Sequence, residues 1–100
     1  MSDLPFQPLR VPARAVEFGG EEILRAVVAN GGLHMSLKRA FDDPESWGRA
    51  LAEIVKHVSQ IYANETKITR EMAVNRIVEA FAQEMAADAP PVGVSTLNRQ

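Results

Sequence analysis

The hydrophobic pattern is most informative over residues 23–38, on either side of a glycine-rich reversal. Two β-compatible runs, 23–29 and 33–38, flank Asn30-Gly31-Gly32. Asn-Gly is the favoured centre of a type I′ hairpin turn, because both central residues need positive φ. A turn at Gly31-Gly32 would shift the pairing but would leave the same residues on each face. The pattern therefore predicts an antiparallel β-hairpin with a two-residue turn.

The Asn30-Gly31 turn pairs Ala29 with Gly32 and sorts the hairpin side chains onto two unlike faces. One face, called here the apolar sheet face, holds six apolar residues: Leu24, Ala26, Val28, Leu33, Met35 and Leu37. The opposite face is mixed, with these residues: Ile23, Arg25, Val27, Ala29, His34, Ser36 and Lys38. We expect the apolar sheet face to be buried.

The hydrophobic period changes from two to 3.6 after residue 43. Asp43 can cap a helix that starts at Pro44 and runs to about Ala63, and Glu45 can pair with Arg49. Its apolar stripe is Trp47, Leu51, Ile54, Val55, Val58, Ile61 and Tyr62.

Thr69 (or Thr66) can cap a second helix. That helix has the stripe Val74, Ile77, Val78, Phe81 and Met85. The short link predicts an antiparallel helix pair.

The two ends of the chain differ from this patterned middle. Three prolines within residues 1–13 predict an extended N-terminal arm, and Pro90-Pro91 opens a predicted flexible tail over residues 90–100. Residues 15–18 either add a short third strand or lay Phe18 over the core. We therefore predict one α+β domain over residues 14–89, an antiparallel hairpin packed on two antiparallel helices.

Composition restricts the possible functions. The chain has 100 residues, no cysteine and a formal net charge of −2. Disulfides and thiolate chemistry are excluded, and the acidic balance disfavours nucleic-acid binding, although Arg25, Lys38 and Arg39 form a weak basic candidate. The opening residues do not resemble a secretory signal, and no apolar run is long enough for a membrane span. We expect a cytoplasmic protein with no membrane contact.

Three residues are candidates for ligand binding. Arg25 and His34, beside Ser36 and Lys38, could form a small anion site, and Trp47 could line a pocket. A solvated strand surface and ordinary core or interface packing explain the same residues. Glu53 and His57 have helical spacing, which favours a surface ion pair over a metal site. We find no catalytic constellation and no cofactor motif, and we predict neither metal nor cofactor.

A two-stranded sheet with open edges and a small core favours a symmetric homodimer. The alternative is a monomer whose sheet edge is covered by the N-terminal arm. We expect a non-enzymatic homodimeric protein-interaction module, with an unidentified protein partner as a further option. The competing hypothesis is a small-molecule or anion-binding protein that uses Arg25, His34 and Trp47.

Several short runs resemble one family. They are Ile23-Leu24-Arg25, residues 31–37, Asp42-Asp43-Pro44, Trp47-Gly48, Arg76-Ile77 and Phe81. Together they are similar to a domain-of-unknown-function family of short alphaproteobacterial proteins, over about residues 20–86, with Phe41 where a tryptophan is expected. The resemblance implies a bacterial protein. It implies no activity and no site residues.

Overall fold

The computed structural model describes residues 8–87 and 94–96. It has the α+β character that the pattern predicts, with a hairpin and two long helices. The elements are α1 (Ala13–Glu17), β1 (Leu24–Ala29), β2 (Gly32–Leu37), α2 (Pro44–Glu65), α3 (Arg70–Ala86) and β3 (Val94–Thr96). The strands form one antiparallel sheet in the order β1-β2-β3.

The hairpin has the predicted turn and register. Asn30 has φ 54° and Gly31 has φ 71°, so both central residues are left-handed, as a type I′ turn requires. Ala29 pairs with Gly32, and the ladder continues to the pair Leu24–Leu37. Since side chains alternate along a strand, this register places the six residues of the apolar sheet face on one side.

The two long helices begin at the predicted caps. The Asp43 carboxylate accepts a hydrogen bond from the Glu45 amide at 2.9 Å, and the Thr69 hydroxyl accepts one from the Met72 amide at 3.1 Å. Thr66 instead closes α2, because its hydroxyl donates to the Tyr62 carbonyl at 2.7 Å. The Asp43 and Thr69 caps each satisfy a backbone N–H that the helix itself leaves unpaired, and the Thr66 hydroxyl adds a second bond to a carbonyl that also accepts the Thr66 amide at 2.9 Å.

Helices α2 and α3 pack against each other through small side chains. Ser59 of α2 and Ala73 of α3 are buried. The Ser59 hydroxyl is fully buried and makes no hydrogen bond to the described residues. Small residues at a crossing let two helix backbones approach closely, at the cost here of one unsatisfied polar atom.

Two predictions at the chain ends are wrong in part. Residues 13–17 form the short helix α1, so residues 15–18 are not a strand, and the predicted arm ends in a helical turn that follows Pro12. Proline is compatible with the start of a helix, where no backbone N–H partner is needed. Val94–Thr96 pairs with β2, so these residues are a strand and not a flexible tail. The rest of both predicted end segments lies outside the described residues, apart from residues 8–12.

The predicted packing of the hairpin on its own helices is also wrong. In the described part of the chain, the sheet contacts neither α2 nor α3. The six residues between β2 and α2 are held at both ends. Lys38 donates to Glu21 at 2.7 Å, and the ring of Phe41 packs edge-on against Trp47 with centroids 5.4 Å apart. The first contact joins the connection to the residues before the sheet, and the second joins it to α2.

Candidate interaction surface

The apolar sheet face is open to solvent in the single chain. Val28 is 65% exposed and Leu37 is 58% exposed, although both lie in regular, paired strands. Leu24 and Leu33 are half-buried. A continuous apolar surface of this kind is unusual on a soluble monomer.

The long helices also leave apolar side chains uncovered. Six of them, called here the apolar helix stripes, are Leu51, Ile54 and Ile61 in α2 and Val78, Phe81 and Met85 in α3. Ile61 is 50% exposed, Phe81 is 52% exposed and Met85 is 71% exposed. Their spacing of three, four and seven residues keeps each set on one stripe of its helix. The sequence pattern identified these stripes correctly but implied that the same chain would bury them.

Two ion pairs of α2 lie away from its apolar stripe. Arg49 pairs with Glu45 at 3.3 Å, which confirms the predicted ion pair, and Lys56 pairs with Glu53 at 3.3 Å. At 100° per residue these four side chains project from the side of α2 opposite Leu51, Ile54 and Ile61. Glu65, at the C-terminal end of α2, is the charged residue that shares the side of the stripe.

Strand β1 is an edge of the sheet. The Lys38 amide donates to the Ile23 carbonyl at 3.2 Å, so by alternation the backbone groups of Leu24, Ala26 and Val28 point away from β2. Pro8 and Leu9 line a groove beside this edge, but in the described segments no backbone hydrogen bond joins residues 8–12 to β1. The arm therefore lies beside the edge without pairing to it.

The three predicted ligand-binding residues fall in two places. Arg25 and His34 share the mixed sheet face, and the Arg25 guanidinium pairs with Glu22 at 3.0 Å. Trp47 lies in the first turn of α2, half-buried against Phe41. Because α2 does not contact β1 or β2, one chain does not bring Trp47 to the other two residues. Their role in ligand binding stays a prediction.

The second histidine lies on a helix surface. His57 Nε2 is 4.0 Å from Glu53 Oε1, a pair that is charged only when the imidazole is protonated. Over residues 8–87 and 94–96, no three His, Asp or Glu side chains are placed to share a metal ion. In the same residues no helix has the length and apolar character needed to cross a bilayer.

Sequence analysis missed three structural contributors near these surfaces. Ser59 is buried at the α2–α3 crossing, where the pattern predicted apolar residues only. The pair between Lys38 and Glu21 joins residues 17 apart, a separation at which no local periodicity signals contact. Phe41 anchors the connection to α2, and its aromatic character just before the Asp42-Asp43-Pro44 helix start was the available signal.

Comparisons with known proteins give a family and a solved fold. A family model described as a domain of unknown function, DUF5076, matches residues 8–89. A solved structure from the photosynthetic bacterium Rhodopseudomonas palustrus, provisionally described as a pyruvate dehydrogenase, is 34% identical. It covers 92% of this chain and 96% of its own, with a TM-score of 0.72. No curated protein matches.

Proposed function

Since the chain belongs to the domain-of-unknown-function family DUF5076, we propose its function from its own surfaces: it is a non-enzymatic homodimeric module that acts by protein–protein contact. The observation that carries the proposal is the exposure of the apolar sheet face in a regularly paired sheet. Val28 and Leu37 are each more than half exposed. Burying such side chains is the main favourable term in both folding and association.

The single chain has a very small core. Among residues 8–87, only Gly32, Ser59 and Ala73 are buried. Fully burying one leucine, valine or phenylalanine contributes about 1.5–3 kcal/mol, and none of the large apolar side chains among residues 8–87 is fully buried. A second molecule is therefore the natural source of the missing burial.

A charge on the apolar sheet face tests the proposal. Val28→Lys costs little in an isolated chain, because the side chain is already exposed. In a dimer it buries an unpaired ammonium, which we expect to cost about 3 kcal/mol and to raise the dissociation constant roughly a hundredfold. Light scattering on the eluting full chain, over a range of concentrations, measures the change.

Ala29→Lys is the matched control. It adds the same charge one residue along the same strand but on the mixed face, so the dimer should persist. A wild-type chain that elutes as a monomer at all concentrations would contradict the homodimer. Turnover of pyruvate by the purified wild-type chain would overturn the non-enzymatic part of the proposal; that activity belongs so far only to the description of the Rhodopseudomonas palustrus protein.

A further inference from the structure

We propose that two copies of this chain exchange their apolar surfaces reciprocally. The apolar sheet face of one copy packs on the apolar helix stripes of the other, and the reverse contact forms at the same time. This inference rests on the proposed homodimer and goes further, because it names which surface meets which. The proposed exchange excludes two other arrangements as the main interface: face-to-face packing of the two sheets, and pairing of the two sheets edge to edge.

The two surfaces are chemically matched. The apolar sheet face carries no ionisable side chain, and the stripe of α2 has its ion pairs on the opposite side of the helix. Both surfaces are exposed in the chain and both sit on regular secondary structure. A sheet with one apolar face and helices with apolar stripes form the usual two layers of a domain core.

The occupant is a second copy because one symmetry operation then covers both the apolar sheet face and the apolar helix stripes of each chain. Each chain has an uncovered sheet face and uncovered helix stripes, and these do not meet within the chain. A two-fold axis makes the same pair of contacts twice. An unrelated partner would need two different apolar surfaces, one that fits the apolar sheet face and one that fits the apolar helix stripes.

The connection between β2 and α2 fits this exchange. It comprises residues 38–43 and spans at most about 20 Å when extended. Its ends are held by the Lys38–Glu21 pair and by the packing of Phe41 on Trp47, and Asp43 caps α2 directly after it. The sheet, which contacts neither α2 nor α3 of its own chain, is therefore available to another chain.

Cysteine cross-linking tests the exchange, since the natural chain has no cysteine. Val28→Cys is co-expressed as the full chain with Ile54→Cys, and separately with Phe81→Cys. Mild oxidation followed by mass spectrometry then separates mixed from self cross-links. A disulfide forms only when the two Cα atoms come within about 7 Å, so we expect about tenfold more mixed than self product in at least one pairing.

Ala29→Cys is the control on the opposite sheet face, and it should give no mixed product with either helix variant. A dimer in which Val28→Cys cross-links mainly to itself overturns the exchange but leaves the homodimer standing. A chain that stays monomeric removes both proposals. A double variant, Val28→Cys with Ile54→Cys, that closes within one chain at high dilution also overturns the exchange.

Discussion

At the scale of single residues, backbone conformation at two positions determines the hairpin. Asn30 and Gly31 both have positive φ, a region that other residues enter only at a cost. Asparagine tolerates this conformation better than most residues, and glycine has no Cβ to clash. Because turn and register are linked, these two residues also decide which side chains form the apolar sheet face.

A glycine-to-alanine pair tests this residue-level account. Gly31→Ala should lower the free energy of unfolding by about 1–2 kcal/mol, because a left-handed alanine is strained. The new methyl group would meet no atom within 4 Å, so backbone strain is the only cost. Denaturant unfolding at a fixed protein concentration measures it.

Gly48→Ala is the matched control. Its new methyl group also meets nothing within 4 Å, but Gly48 lies inside α2, where alanine is favoured by about 1 kcal/mol. The same substitution should therefore raise the free energy of unfolding at residue 48 and lower it at residue 31. Equal effects at the two positions would contradict the turn assignment.

At the scale of elements, the sequence predicts what is local. The hairpin register, the start of α2 at Pro44 and the start of α3 after Thr69 all follow from residues within one turn or one reversal. α1 was missed because Val16 and Phe18 alternate like a strand, whereas five residues are too few for a helical period to appear. β3 was missed because its three residues owe their strand conformation to β2, some sixty residues away.

The crossing of α2 and α3 provides a prediction at this scale. Ser59→Ala should raise the free energy of unfolding by about 1–2 kcal/mol, because it removes a buried hydroxyl without a partner and improves helix propensity. Thermal or denaturant unfolding measures the change. Ser46→Ala, in the first turn of the same helix, is the control for propensity and should contribute about 0.5 kcal/mol or less. Loss of stability in Ser59→Ala would indicate that the hydroxyl is satisfied in the assembled protein.

At the scale of the whole molecule, the sequence identifies apolar surfaces but not what covers them. Alternation placed Leu24, Val28 and Leu37 on one face, and helical spacing placed Leu51 and Phe81 on stripes; all five lie where predicted. Periodicity carries no information on whether the covering surface belongs to the same chain. The expectation that the hairpin packs on its own helices failed at that step. The candidate site depends on the same step, since Arg25 and His34 meet Trp47 only if sheet and helix approach, and it stays a prediction.

The central claim is that a second copy completes the core of this chain. It is tested most directly by the thermal midpoint of unfolding of the wild-type protein at concentrations spanning about a hundredfold, followed by circular dichroism. If folding and association are coupled, mass action raises the midpoint by several degrees across that range. A midpoint that does not change with concentration would contradict the account.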